Sequence, residues 1–342
     1  MTEQDAPARS AGASAKPDIA KRKAWRFSRP DAPGFADFMA GGKARKAFVK
    51  YWLTDNVWNG LHLAGHYGMK LMPMDVCSNF GARLGLFALP RYHKVAQKRA
   101  RATIARLCPQ MSEAEREALY IENCKAQGRL MTEFSVVNRI ARQPERMVLH
   151  NPEYIQDAAK AGPIIIVGMH LGNWEIGPII LRQIGVQPYT FYVPPVERAK
   201  AWIAERVRSK TGLRFIPPGM QGIRPAVSLL KKGGVVSVFA DEAFAGKIRG
   251  PLFGRAPHLE GNIALTIRLA RMTGATICPW YNVRRSDGFR FDAYALPPFK
   301  LPAEAKPGER LVEDIKLLNA VIEPVVLTHL DQWYFLDNAL PS

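Results

Sequence analysis

The hydrophobic pattern changes period near the middle of the chain. Residues 109–142 read as helical: Ser112-Glu113-Ala114-Glu115 has capping-box spacing, and Ala118, Ile121, Leu130, Phe134 and Val137 can share one buried stripe. From Pro163 onward the pattern is different. Pro163-Ile164-Ile165-Ile166-Val167-Gly168-Met169 is a continuous run of mostly β-branched residues, as expected of a strand covered on both faces. Gly172 and a helix over 173–184 follow it. The alternation then repeats: a helix over 221–232 stops at Gly233-Gly234, and 235–240 forms a second buried-type strand. A loop punctuated by Gly246, Gly250 and Gly254 leads to a helix over 262–272, strands over 276–284 and 289–296, and a last helix over 309–329. Strands alternating with helices of this length predict an α/β fold with helices on the faces of the sheet.

The first 108 residues carry no such alternation. Residues 1–45 are rich in Ala, Ser, Pro, Lys and Arg, lack the apolar core of a secretory signal, and read as a mobile basic arm. The longest uncharged stretch, 56–69, is interrupted by Asn, His and Gly, so no spanning helix is expected. Residues 46–108 hold Trp52, Trp58, Tyr67, Met69, Met72, Met74, Phe80, Phe87 and Tyr92 among Lys50, Lys70, Arg83, Arg91 and Lys94. Amphipathic rings beside cations suit the headgroup boundary of an anionic membrane. A helical subdomain that packs these rings inward is the other reading.

Composition narrows the classes. The 342 residues are 47% apolar, enough for a large core, which excludes global disorder. Cys77, Cys108, Cys124 and Cys278 are scattered without zinc-finger spacing. Lys and Arg outnumber Asp and Glu by 48 to 30, a formal charge of +18 that calls for an anionic partner: nucleic acid, lipid headgroups or an acidic carrier. A nucleic-acid-binding protein should carry an RNP-like, KH-like or zinc-finger pattern, and none is visible. Nucleophile-elbow, phosphate-loop, dinucleotide and H-E-x-x-H motifs are also missing. His62 and His66 have i, i+4 spacing without an evident third ligand, so no metal site is expected.

Two polar residues leave the C-terminal ends of the buried strands, His170 after the first and Asp241 after the second. Ligands of open α/β sheets bind at that edge. In His170-Leu171-Gly172-Asn173-Trp174-Glu175, the glycine lets the chain turn so that Glu175 can fold back on the imidazole, an arrangement suited to general-base activation of an alcohol. Read by spacing alone, the same residues also fit a histidine satisfied inside a turn, with Glu175 placed by the helix dipole.

The wider context resembles a known family. Gly168-Met169-His170-Leu171-Gly172-Asn173-Trp174-Glu175 is similar to the H-x4-E/D block of the bacterial lipid A biosynthesis acyltransferases, the late lauroyl/myristoyl branch of the lysophospholipid acyltransferase superfamily. Arg206-Val207-Arg208-Ser209 resembles that family's R-x-R segment, and 229–236 with Ala240-Asp241 its helix-strand-Asp block. Pro251-Leu252-Phe253-Gly254 and Gln332-Trp333-Tyr334 are similar to its P-F-F-G and Q-W blocks. Three features depart from it: Tyr192-Val193-Pro194 lacks the usual Arg, for which Arg198 is a candidate replacement; the Asp241 loop reads Asp-Glu-Ala-Phe-Ala-Gly; and the basic, aromatic segment stands where the family commonly has an N-terminal membrane helix.

The resemblance implies a mixed sheet flanked by helices, like that of glycerol-phosphate acyltransferases, over 109–342; the basic, aromatic composition of 46–108 adds an interfacial, membrane-associating helical region before it. The resemblance also implies transfer of a fatty acyl chain from acyl carrier protein, or acyl-CoA, to a hydroxyl of an anionic glycolipid such as a lipid A precursor, without metal or cofactor. The place would be the cytoplasmic face of the bacterial inner membrane. His170 would be the general base held by Glu175, with Arg206, Arg208, Asp241, Asn173 and Gly254 at the substrates. Acyl transfer from CoA to a lysophospholipid, ornithine lipid or mannoside is the neighbouring alternative.

Overall fold

A computed structural model describes residues 31–244 and 246–341. The proposed mobile arm therefore lies mostly outside the described residues. Nine strands form: β1 (Met147–His150), β2 (Ile164–Gly168), β3 (Pro188–Phe191), β4 (Arg214–Ile216), β5 (Val235–Phe239), β6 (Glu242–Phe244), β7 (Lys247–Gly250), β8 (Thr276–Arg284) and β9 (Phe291–Ala295). Seven of them make one sheet in the order β1-β9-β8-β2-β5-β3-β4, and β6 pairs with β7 as an antiparallel hairpin. Pairing is parallel from β8 to β4, while β9 runs antiparallel to β8, so the sheet is mixed as expected.

The β-branched run dictates the centre. Every residue of β2 is buried, and its side chains alternate between two cores: Ile165 and Val167 face one, Ile164 and Ile166 the other. Helices Met220–Lys231, Asn262–Thr273 and Leu311–Thr328 supply the first core, and Pro152–Ala161, Gly177–Gln183 and Arg198–Thr211 the second. Residues on both sides of position 108 share these cores, Ala100 and Ile104 the first, Met74 and Cys77 the second.

The helix expected over 109–142 spans Glu113–Glu133, capped by Ser112 with reciprocal bonds to Glu115. Its buried stripe differs from the expected one. Tyr120, Cys124, Gly128 and Thr132 face inward, whereas Ile121 is exposed. The reason is a close helix crossing with Met74–Tyr92: a Cβ on Gly128 would lie 2.1 Å from the Gly81 carbonyl oxygen. At that crossing Gly128 and Thr132 thus take the inner face.

The N-terminal helices remain largely open to the surroundings. Trp52, Leu53, Val57, Trp58, Leu61, Tyr67 and Leu71 are exposed along helix Asp55–Lys70 and the turns at its ends, and Val76, Phe80, Leu84 and Phe87 form an exposed stripe on Met74–Tyr92. Met74 is buried, and Met69 and Met72 pack against the core, so the aromatic and methionine set divides between the two readings. Among the described residues no helix is long and apolar enough to cross a membrane.

Candidate active site

The site is built where β2 and β5, neighbours in the sheet, end side by side. Ala240 N donates to Gly168 O at 2.9 Å, which continues the strand pairing by one residue and brings the residues after each strand together. His170 and Asp241 meet there. Asp241 Oδ1 lies 3.0 Å from His170 Nδ1, and Oδ2 accepts from His170 N at 2.8 Å. Trp333 Nε1 donates to the same Oδ2 at 2.8 Å. Asp241 is fully buried, and three donors compensate its removal from water.

A carboxylate on Nδ1 fixes the ring. It favours the tautomer with the proton on Nδ1 and the lone pair on Nε2. Aromatic faces hold the imidazole in orientation: Phe239 stacks on it with centroids 4.2 Å apart, while Trp174 and Phe335 meet it edge-on at 4.8 and 5.0 Å. The backbone is clamped too. Tyr334 N donates to His170 O at 3.0 Å, and Leu171 bridges to Trp333. Gly172, at φ 57°, makes the turn that follows, with the Asn282 carbonyl oxygen 2.8 Å from where a Cβ would sit.

Glu175 does not hold His170. Asn173 Oδ1 accepts from Glu175 N at 3.2 Å and starts a 3-10 turn, Trp174–Ile176, ahead of helix Gly177–Gln183. That turn directs the Glu175 carboxylate to Arg208, whose Nε lies 3.0 and 3.2 Å from its two oxygens. The nearest carboxylate in sequence is thus engaged elsewhere, and Asp241, from the adjacent strand, is on the imidazole. Burial works against the Arg208 charge, but Glu175 and Tyr192 together offset it and leave the guanidinium pKa raised.

The other expected site residues separate. Arg208 lines the same cavity as His170 and Glu175. Arg206, two residues away on helix Arg198–Thr211, lies on another face, exposed and stacked over Trp202 at 4.6 Å. Asn173 is fully buried and ties the turn down, its Nδ2 donating to Glu133 Oε2 at 2.9 Å and its N donating to Asn282 Oδ1 at 3.1 Å. Gly254 ends a loop fixed to helix Leu311–Thr328, with Asn319 accepting from Leu252 N and Glu323 from Phe253 N. That loop meets the centre through Phe253, whose ring lies 5.6 Å from that of Trp333.

The cavity beside His170 has a volume of about 170 Å³. Trp174, Glu175, Tyr192 and Arg208 share it with His170, and Leu181, Pro188, Phe191, Leu213, Phe239 and Trp280 give it apolar walls. Gly177 lets the Trp280 ring pack closely into its wall, since a Cβ there would meet that ring at 2.5 Å. Among the described residues no cluster of His, Cys, Asp or Glu is arranged to hold a metal, and His66 is buried against Ser135 Oγ at 2.9 Å.

The fold and site define an α/β protein with a carboxylate-held imidazole beside an apolar cavity at the C-terminal edge of its sheet. The family model of the bacterial lipid A biosynthesis acyltransferases matches residues 40–341, and the chain belongs to that family; it is an acyltransferase. It is 27% identical over 300 residues to the lipid A biosynthesis lauroyltransferase of Escherichia coli K12, covering 84% of this chain and 90% of the relative. It is 25% identical over 295 residues to the palmitoleoyltransferase of the same organism, with the same coverage. A solved structure, the 1-acyl-sn-glycerophosphate acyltransferase PlsC from Thermotoga maritima, aligns over 79% of this chain and 97% of its own at 12% identity and a TM-score of 0.35, too loose a likeness to transfer residues.

Proposed function

We propose that this acyltransferase moves a fatty acyl chain from an acyl carrier protein thioester to a hydroxyl of an anionic lipid A precursor, with His170 as general base oriented by Asp241. The observation that carries this reading is the imidazole whose Nδ1 faces a fully buried carboxylate while its ring lines an apolar cavity. The acyl chain lies along the apolar walls, which places the thioester carbonyl toward His170 and Arg208. Nε2 takes the proton of the acceptor hydroxyl as its oxygen attacks the thioester carbon. The resulting oxyanion is met by the Arg208 guanidinium, which Glu175 holds in place from behind. Collapse breaks the carbon–sulfur bond, and the imidazolium returns the proton to the departing thiolate. Asp241 stays ionised throughout and stabilises the transient imidazolium. Glu175 is thereby a positioning residue.

Placement at the cytoplasmic face of the inner membrane, peripherally, is supported by the exposed aromatic surface of helices 55–92 and the excess of +18. The test is an acyl-transfer assay of purified protein with carrier-protein and CoA thioesters against lipid A precursor and lysophospholipid. The expected result is transfer from the carrier thioester to the glycolipid, lowered by about 10²–10⁴ in His170→Ala. Preference for CoA and lysophospholipid would favour the neighbouring acyltransferase reading, and full activity of His170→Ala would remove the general base.

A further inference from the structure

A second cavity, about 420 Å³, opens at the same edge of the sheet on the other side of the Gln332-Trp333-Tyr334 segment. Lys125, Arg129, Arg284 and Arg285 line it against Glu122 and Asp331. Most of these cations have a carboxylate: Lys125 pairs with Glu122 at 2.6 Å, Arg284 with Glu133, and Arg285 with Asp287 at 3.1 Å. Arg129 differs. Its Nη1 donates to Ser78 Oγ at 2.7 Å and Asn79 Oδ1 at 3.0 Å, and among the described residues no carboxylate pairs with it. It is half-buried, and burial, reinforced by Arg284, pulls its pKa down against the weaker, opposing charges of Glu133 and Glu122. A guanidinium kept from water and fixed by neutral partners is a site prepared for an anion.

The position suits a substrate. Arg284 N donates to Gln332 Oε1 at 2.7 Å, and Gln332 immediately precedes Trp333, the donor to Asp241. Tyr334 is bonded to the His170 carbonyl, so one short segment separates this cavity from the imidazole. Its outer wall at Asn79 adjoins Phe80 of the exposed apolar stripe.

We propose that this groove binds a phosphate monoester on the sugar of the acceptor, with Arg129 as its central ligand and Lys125, Arg284 and Arg285 around it. The inference rests on the acceptor being a phosphorylated glycolipid. A molecule with acyl chains in the bilayer beside Phe80 and its phosphate on Arg129 would present a hydroxyl toward His170.

Purified full-length protein is titrated with phosphatidylcholine vesicles carrying phosphatidic acid, a monoester, or phosphatidylglycerol, a diester, matched in surface charge. Arg129→Gln is expected to weaken monoester binding about tenfold and leave diester binding unchanged. Arg285→Gln, at a more exposed position, moves the same way by less and keeps the test usable if Arg129→Gln unfolds. In acyl transfer, Arg129→Gln raises KM about tenfold for the phosphorylated acceptor only. Equal losses on both vesicles, unchanged binding, or a rise in the donor's KM, which would assign the groove to the donor's phosphopantetheine, each overturn the proposal. The vesicle measurement needs no turnover, so it stands whether or not the proposed reaction does.

Discussion

The edge of the sheet and the N-terminal helices satisfy their side chains in opposite ways. At the edge, Asp241 takes three hydrogen bonds, Glu175 has Arg208, and three aromatic rings hold His170. Across helices 55–92, Trp58, Leu61, Phe80 and Phe87 are each about half exposed, and the Arg91 guanidinium lies over the Phe87 ring at 4.1 Å. One region is closed within the chain and the other leaves an apolar face open. Rigid placement suits chemistry; an open apolar face rimmed by Lys and Arg suits a surface that can be joined and left.

The largest expected effect tests the closed region. Asp241→Asn keeps the size of the side chain but lets its amide present an N–H to Nδ1, which favours the tautomer with the proton on Nε2. The turnover rate should fall about 10²–10⁴-fold with the fold retained, because the base then lacks a lone pair at the substrate. Trp333→Phe, which removes one of three donors to the carboxylate, should reduce turnover by less than tenfold. Kinetics of both variants alongside thermal unfolding would check this; equal losses would mean that Asp241 serves the fold rather than the imidazole.

Much of this edge is readable in the chain, but the partnership within it is not. Ile164–Gly168 and Val235–Phe239 stand out because strands buried on both faces need unbroken apolar runs. The rule that ligands bind at strand ends then picks out His170 and Asp241 separately. That the two touch depends on β2 lying next to β5, a fact of sheet order that no local spacing encodes. Glu175 is nearest in sequence and was the natural partner, yet a 3-10 turn aims it at Arg208. Trp333, Glu133 and Arg284 come from distant segments, and only the Gln332-Trp333-Tyr334 block hinted at the first of them. Arg206 and Arg208 look equivalent in an R-x-R segment, but positions two apart on a helix face different directions. The short strands β1, β3 and β4 have too few residues to show a period.

A middle-sized effect tests the open region. Trp58→Ser with Leu61→Ser should weaken binding to anionic vesicles by about thirtyfold, since each side chain would lose roughly 1 kcal/mol of burial. Activity on detergent-dispersed substrate should be unchanged. Raising salt should weaken vesicle binding further by screening exposed Lys and Arg. Vesicle co-sedimentation measures both, and unaltered binding in the double variant would return these aromatics to an inward-packing or protein-facing role.

The smallest effect lies where the two regions join. His66, on helix Asp55–Lys70, is bonded to Ser135 Oγ, and burial together with Lys70 and Lys210 lowers its pKa to about 4. In the unfolded chain the ordinary value is about 6.5, so between these values the unfolded state binds the extra proton. The stabilisation from neutral His66 is therefore full above about pH 6.5 and lost as pH falls toward 4. The slope should stay below the ~1.4 kcal/mol per pH unit of an unscreened group, because solvent reaches the neighbouring lysines. His66→Gln should flatten that slope in denaturant titrations from pH 7 to 4.5 while leaving the neutral-pH turnover rate alone, since no part of the site contacts His66. An unchanged slope in His66→Gln would mean that the acid sensitivity does not arise at His66.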